Sequence, residues 1–229
     1  MAYRNGPKIV TDGLVLCLDA AISKSYPGSG TSWIDLSTNK KNATLANGPS
    51  YSLSNKGIFS FDGSNDQADT SSVIAPDTGD FSVCFAYQLN FEGRGGLFER
   101  KGTNPYNGWS LGQGGTSNWG FTVSGTSDFN NRITVTMTYP TMNTWYVDCA
   151  VYENGNSVTT YRNGQYHGNT TGTSQGNLSS QGTRDSLAIA HRTNNYLPCK
   201  VAYVMIYNKA LSSNEVRQNF NATRGRFGV

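Results

Sequence analysis

The segment Val201–Tyr207, near the end of the 229-residue chain, constrains the fold most, because its side chains are apolar on both faces of a two-residue period. A strand with this pattern is covered on both sides by other parts of the protein. Strict alternation predicts one face made of Cys199, Val201, Tyr203, Met205 and Tyr207, and an opposite face made of Ala202, Val204 and Ile206. The pattern therefore predicts a central strand in a layered structure.

A helix start follows this strand. Ser212 and Glu215 have the S-x-x-E spacing of a capping box, in which each side chain accepts a hydrogen bond from the backbone N–H of the other residue. Val216 and Phe220 lie four residues apart and share one face of the helix predicted over 213–220. This apolar face predicts that the helix docks on a sheet.

The rest of the sequence indicates many short strands joined by polar turns. Apolar residues alternate with small or polar ones from Phe81 to Phe91, as in a sandwich strand. Asn163-Gly164, between two strand-like segments, predicts a two-residue hairpin turn. Charged residues make up 14% of the chain and glycine occurs 26 times, which suits strands and turns. We predict an all-β fold, a two-sheet antiparallel β-sandwich with one short C-terminal helix.

The chain shows no linker and no internal repeat, so we predict one sandwich domain over 12–220 that includes the helix. An arm at 1–11 precedes it and a tail at 221–229 follows it. Both ends are free to become ordered against a neighbouring protein. The tail combines charge-assisted donors with an aromatic anchor, and its candidate attachment residues are Arg224, Arg226 and Phe227. The alternative is a solvated tail.

Each of the four cysteines lies within an apolar, strand-like segment: Cys17, Cys84, Cys149 and Cys199. None has the C-x-x-C spacing of a zinc site, and we expect four reduced, buried thiols. The net charge of +3 is too small to indicate nucleic-acid binding. No apolar segment approaches the ~18 residues needed to cross a bilayer, so no membrane partner is predicted.

Several segments form an ordered set: Gly13–Asp19, Trp33–Ser37 with Lys41–Leu45, Phe59–Asp66, Trp145–Val147 with Tyr161–Gly164, and Val201–Val216. In this order, and over roughly residues 12–220, they resemble the laminin-G-like family. The resemblance implies a concanavalin A-like jelly roll.

Two further stretches, Asp19–Ala21 with Ser25–Trp33 and Glu215–Gly228, resemble structural proteins of tailed phages, notably marine and cyanobacterial ones. This resemblance implies a non-enzymatic virion protein, made in the host cytoplasm, that decorates a capsid or tail and has other virion proteins as partners. The alternative is a lectin-like adhesin or receptor-binding module that recognises host-surface polysaccharide. The oligomeric state and the choice between capsid, tail and fibre stay open.

Some proteins with this fold are β-glucanases, and glycoside cleavage needs two carboxylates about 5–5.5 Å apart for retention or about 6.5–9.5 Å for inversion. No glutamate has another acid two residues away along the chain: Glu92, Glu99, Glu153 and Glu215. Three aspartates cluster on a turn that the family uses structurally: Asp62, Asp66 and Asp69. His167 and His191 lack the nucleophile elbow of a serine hydrolase. We therefore predict no enzyme activity and no catalytic residue.

Many members of the laminin-G-like family bind calcium, which takes six to eight oxygen ligands. The resemblance places the first-strand acid at Asp19, whereas Ala202 and Tyr203 stand where the closing strand of the family carries acids. This loss argues against a calcium site, and we expect no metal and no cofactor. Asp19 and Asp62 are the positions at which calcium would be sought.

Glycan binding needs an exposed aromatic platform with planar polar partners. The best candidates lie in or beside a segment rich in glycine, asparagine and serine at 102–120, and they are Arg100, Tyr106, Trp109 and Trp119. The prediction requires that the aromatic side chains be exposed together. The alternative is that the tryptophans pack in the core, as tryptophans mostly do.

Overall fold

The computed structural model describes residues 7–70, 79–92, 95–101, 108–113, 119–124, 132–154, 157–172, 186–192 and 195–229. The strands, in chain order, are β1 (Leu14–Asp19), β2 (Ser32–Trp33), β3 (Ala43–Ala46), β4 (Ser50–Ser52), β5 (Ile58–Phe61), β6 (Gln67–Thr70), β7 (Phe81–Leu89), β8 (Gly95–Lys101), β9 (Gly108–Gln113), β10 (Trp119–Ser124), β11 (Arg132–Met137), β12 (Trp145–Glu153), β13 (Ser157–Arg162), β14 (Gln165–Thr171), β15 (Leu187–Ile189), β16 (His191–Arg192), β17 (Asn195–Tyr196) and β18 (Cys199–Tyr207). Helix α1 (Ser213–Thr223) follows, and short 3₁₀ turns lie at Ser54–Lys56 and Arg224–Arg226.

Within these ranges the strands form two eight-stranded antiparallel sheets and a two-stranded ribbon, β16-β17. The first sheet has the order β14-β13-β12-β7-β18-β5-β4, and β1 also pairs with β18. The second sheet has the order β11-β10-β9-β8-β15-β6-β3-β2. The predicted two-sheet sandwich with a short C-terminal helix is confirmed. The helix ends at Thr223, three residues beyond the predicted boundary, and no helix of the described residues is long and apolar enough to cross a membrane.

The core between the two sheets is largely aromatic. Alternate residues of β7 point into it, and Phe85 stacks on Phe98 of β8 with ring centroids 4.1 Å apart. Full burial of one such side chain stabilises the fold by about 1.5–3 kcal/mol. The predicted alternation of β7 is therefore the pattern that fixes which face points to the second sheet.

A second core covers the outer face of the first sheet, which explains why β7 and most of β18 are buried on both sides. Helix α1 contributes Val216 and Phe220, which are 2% and 8% exposed. Residues 7–11 lie alongside the helix, and the backbone N–H of Val10 donates to the side-chain oxygen of Asn219 at 2.8 Å. This part of the predicted arm is therefore packed against the domain.

The face assignment predicted for β18 is wrong in its first half. A register shift between Val201 and Tyr203 inserts one extra residue, a β-bulge, opposite β7. As a result Val201 and Val204 face the inter-sheet core, whereas Ala202 and Tyr203 face the second core. A strand that is apolar on both faces gives no sequence signal for such a shift.

The two predicted local motifs are confirmed. The Ser212 hydroxyl accepts from the N–H of Glu215 at 3.3 Å, and the Glu215 carboxylate accepts from the N–H of Ser212 at 2.8 Å. Asn163 and Gly164 have φ angles of 51° and 72°, the pair of positive values that a two-residue type I′ turn requires. Gly164 also packs directly against the Phe220 ring, since an added Cβ would lie 2.6 Å from a ring carbon.

The expectation of four free thiols is wrong for two of the cysteines. Cys84 of β7 and Cys149 of β12 lie directly opposite each other and form a disulfide across 65 residues of sequence. Cys17 and Cys199 are free and buried. Burial raises the pKa of the Cys17 thiol to about 12, so the thiol stays protonated and unreactive at neutral pH.

Candidate functional site

The structure contradicts the exposure on which the predicted tryptophan platform depends. Trp109 and Trp119 are 2% and 0% exposed, and both lie in the core between the sheets. Trp109 stacks on Phe121 with ring centroids 5.8 Å apart. The alternation of β9 and β10 places the indoles inward and directs small residues such as Ser110 and Thr122 outward. The Arg100 side chain and Tyr106 lie outside the described residues.

The three candidate attachment residues divide between the interior and the surface. Arg226 and Phe227 are packed into the domain, and the Phe227 ring lies 4.8 Å from the Trp145 ring. Arg224 is exposed, with its guanidinium 5.7 Å from the centre of the Phe220 ring. The predicted free tail is therefore wrong, because its only aromatic side chain is buried.

The acid that the resemblance associates with calcium already has a cationic partner. One guanidinium nitrogen of Arg226 lies 2.8 and 3.0 Å from the two carboxylate oxygens of Asp19, and the N–H of Ala21 donates to the same carboxylate at 2.9 Å. Asp62 lies apart from this pair and accepts the N–H of Ser64 at 2.7 Å, which lowers the pKa of its carboxyl. No group of three or more potential metal ligands occurs among the described residues. Calcium takes six to eight oxygen ligands, whereas the groups around the Asp19 carboxylate are N–H donors. The surroundings of Asp19 therefore suit the Arg226 guanidinium better than a calcium ion.

Two buried carboxylates, Asp148 of β12 and Asp35 of the loop after β2, are engaged in structural contacts. Asp148 accepts from the Tyr87 hydroxyl at 2.7 Å and from Arg162 at 2.9 and 3.0 Å. Asp35 accepts two backbone N–H groups at 2.8 Å through one oxygen, from Cys17 and Ser37. These carboxylates stabilise strand and loop geometry.

The two histidines occupy separate positions. His191 lies 2.9 Å from the Asp69 carboxylate. His167 accepts from the N–H of Thr138 at 3.4 Å, and burial and the nearby Arg162 lower its pKa. Neither contact includes a serine or cysteine nucleophile.

An exposed aromatic pair lies elsewhere, on the β13–β14 hairpin. Four large hydrophobic side chains of the described residues are exposed, and two of them are aromatic: Ile22, Leu53, Phe91 and Tyr166. Tyr166 is 65% exposed, and its ring meets that of the half-buried Tyr161 edge to face, with centroids 6.4 Å apart and planes at 87°. The two residues are cross-strand partners, so both project from the outer face of the first sheet.

Helix α1 forms the second wall of this region. Phe220 packs against Gly164, at the turn of the hairpin that carries both tyrosines. Arg217 and Arg224 precede and follow Phe220 by three and four residues, so they are its neighbours on the helix surface, and both are exposed. We call this set the helix–hairpin surface: Tyr161, Tyr166, Arg217, Phe220 and Arg224.

The electrostatics of the helix–hairpin surface follow from its surroundings. Burial, then Glu153 and Tyr166, raises the pKa of the Tyr161 hydroxyl, which therefore remains a neutral donor and acceptor at neutral pH. Glu215 belongs to another contact, since the Lys209 ammonium lies 2.7 Å from its carboxylate and lowers its pKa. The two exposed arginines thus give the helix side of the surface a positive charge.

Sequence reasoning placed Tyr161 in a strand-like segment and Arg217 within the helix predicted over 213–220, but it did not bring them together. The local signal was available in part, because Asn163-Gly164 places Tyr161 and Tyr166 on facing strands. The docking of Phe220 on Gly164 is a tertiary contact between segments 56 positions apart, 220 against 164, and no local pattern encodes it.

The strand order, the shared inter-sheet core and the docked helix define a concanavalin A-like jelly-roll sandwich. A family model described as the concanavalin A-like lectin/glucanases superfamily, Laminin_G_3, matches residues 62–217, more than half of the chain. The chain belongs to this family. A comparison with curated proteins gave no sequence match.

Solved structures with similar folds include toxin binding domains and a sialidase. The binding domain of botulinum neurotoxin DC in complex with rat synaptotagmin II is 13% identical, with a TM-score of 0.71 over 93% of this chain and 52% of that one. The binding domain of Paraclostridial Mosquitocidal Protein 1 is 17% identical, with a TM-score of 0.69 over 92% of this chain and 52% of that one. Trypanosoma rangeli sialidase in complex with the inhibitor DANA is 15% identical, with a TM-score of 0.65 over 96% of this chain and 34% of that one. The match spans about half of each binding domain and a third of the sialidase, and at these identities it shows the fold alone.

Proposed function

We propose that this domain is a non-catalytic binding module that recognises a glycan through the helix–hairpin surface. The observation that carries the proposal is the 65% exposure of Tyr166 beside Tyr161. An aromatic ring presents a flat apolar face on which the C–H face of a sugar ring stacks, while hydroxyl and guanidinium groups at the rim provide hydrogen bonds. Tyr166 and Tyr161 lie side by side and form an aromatic patch, unlike an exposed aromatic ring that stands alone, which favours a binding role.

The engagement of carboxylates supports a non-catalytic role. Asp148 is held by Arg162 and Tyr87, Asp19 by Arg226, and Glu215 by the helix cap and Lys209. A glycosidase needs one carboxylic acid and one carboxylate facing a common cleft. The named functions of similar structures support binding as a fold-level analogy, although the sialidase is an enzyme whose chain is about three times as long as the matched part.

We further propose a virion as the place where the module acts, displayed on a capsid or tail after synthesis in the host cytoplasm. Support comes from the resemblance of Asp19–Ala21 with Ser25–Trp33, and of Glu215–Gly228, to structural proteins of tailed phages. None of the three candidate attachment residues is proposed for the contact with other virion proteins, because Arg226 and Phe227 are buried and Arg224 belongs to the helix–hairpin surface. Immunogold labelling of intact particles tests this placement, and protein found only free in the lysate would count against it.

Affinity electrophoresis in gels that contain soluble polysaccharides tests glycan binding. We expect retardation of the wild-type protein by at least one polysaccharide, and loss of that retardation in Tyr166→Ala. Phe91→Ala is the matched control, since Phe91 is 58% exposed but lies on the loop after β7. If both variants bind as the wild type does, the helix–hairpin surface is not the glycan site.

A further inference from the structure

Helix α1 and its C-cap residue present two guanidinium groups to the side of the helix–hairpin surface, those of Arg217 and Arg224. Successive residues of an α-helix are about 100° apart, so Arg217, Phe220 and Arg224 lie within one side of the helix. Phe220 faces the hairpin through Gly164. Gln218 faces the opposite way, because its side-chain amide donates to the carbonyl of Lys8 at 2.9 Å. The two exposed arginines therefore flank the wall that faces the tyrosines.

Charges around the helix leave this side positive. Glu215 is held on another side of the helix by Lys209. Glu153, at the end of β12, is the acid that acts on Tyr161, and its carboxylate accepts from the Ser157 hydroxyl at 3.1 Å. Among the described residues, Arg217 and Arg224 together outweigh the charge of Glu153, so the surface beside the exposed Tyr166 ring is net positive.

We infer that the ligand of the helix–hairpin surface is an acidic polysaccharide, one that carries carboxylate or sulfate groups. This inference rests on the proposed glycan-binding function and adds the ligand class. A sugar ring stacks on Tyr166, while the guanidinium groups of Arg217 and Arg224 bind anionic substituents in the two-pronged geometry that carboxylate and sulfate oxygens accept.

The spacing of the arginines favours a polymer. Seven helical positions separate Arg217 from Arg224, a rise of about 10 Å along the axis. A single small anion reaches one guanidinium, whereas a chain with repeating charges reaches both. The Arg224 guanidinium lies 5.7 Å from the Phe220 ring centre, and this contact with an aromatic face holds the group over the wall.

Matched polymer pairs separate charge from sugar recognition. Polygalacturonate is compared with its methyl ester, and dextran sulfate with dextran, by affinity electrophoresis at low and at physiological salt. We expect the charged member of a pair to bind more tightly, with affinity falling as salt is raised. Arg217→Gln and Arg224→Gln should each weaken binding by about fivefold, the scale of an exposed ion pair. Lys24→Gln, an equal charge change at an exposed turn residue, should have no effect.

The outcomes separate this inference from the proposed function. Equal binding of charged and neutral polymers, lost in Tyr166→Ala but unchanged in both arginine variants, overturns the acidic-ligand inference and leaves glycan binding intact. Binding to no polymer, or binding that Tyr166→Ala leaves unchanged, overturns the proposed function and this inference with it. Equal losses in Lys24→Gln and Arg224→Gln would show a general charge effect and would also overturn the inference.

Discussion

Replacing Arg226 with methionine tests whether the end of the chain is fixed to the sandwich. The Arg226 guanidinium donates to Asp19 at 2.8 Å and to the carbonyls of Asn55 and Gly57 at 3.1 Å each. The Arg226 and Asp19 side chains are 8% and 15% exposed. Methionine retains much of the apolar stem and removes every one of these donors, so the change isolates the polar contacts.

The expected loss follows from the burial of the pair. Removing one partner of a buried ion pair costs about 3–5 kcal/mol, because the remaining charge is left without a partner. Asp19 keeps the N–H of Ala21 at 2.9 Å and is 15% exposed to water, which places the loss near the lower limit. We expect the free energy of unfolding to fall by about 3 kcal/mol, and the melting temperature by about 6–12 °C for a domain of this size.

Urea unfolding monitored by tryptophan fluorescence measures the loss. Arg224→Met is the matched control, since this arginine is exposed two residues earlier and its replacement should change stability by less than about 0.5 kcal/mol. Asp19→Asn combined with Arg226→Met should lose less than the sum of the two single changes, because they remove the same contact. Equal stability of Arg226→Met and Arg224→Met would refute the reasoning and would support the prediction that the tail at 221–229 is not fixed to the domain.

Three further predictions concern the disulfide, the hairpin turn and the helix cap. Cys84→Ala opens the bond to Cys149 and should cost about 4 kcal/mol by the loop-entropy estimate for a separation of 65 residues; calorimetry with and without reductant checks this. Gly164→Ala should cost more than Gly30→Ala in urea unfolding, since both have positive φ but only the first places a methyl group 2.6 Å from a ring carbon of the docked helix. Glu215 has a lowered pKa, so its contribution to stability is present above its unfolded pKa and is lost as the pH falls through the folded pKa; Glu215→Gln should flatten the melting temperature between pH 6 and pH 3, roughly the range of that titration.

Local motifs of the fold could be predicted because each depends on neighbouring residues alone. The capping box needs only Ser212 and Glu215, and the type I′ turn needs only Asn163 and Gly164. The bulge in β18 could not be predicted, since Ala202 and Tyr203 are both compatible with either face of a strand covered on both sides.

The tryptophan platform failed for a reason that the sequence contains. Trp109 alternates with Ser110 and shares the face of Leu111, which marks that face as the buried one. The richness of the segment in glycine and asparagine describes its loops, whereas the indoles belong to its strands. The exposed side chain of Tyr166 was overlooked because a tyrosine beside a hairpin turn has the same sequence pattern in both cases, whether that face of the sheet is covered by other residues or open to water.

The arginine cluster shows why composition alone cannot separate an anchor from a binding surface. Arg217, Arg224 and Arg226 lie within ten residues, yet their side chains have different surroundings. Arg217 and Arg224 are placed by the helical repeat on the side of Phe220, where the guanidinium groups remain in water. The α-helix ends at Thr223, and in the 3₁₀ turn that follows, Arg224–Arg226, the Arg226 guanidinium turns back to Asp19. An arginine at position 226 therefore fixes the C-terminal segment to the sandwich, whereas an arginine at position 224 stays available to a ligand.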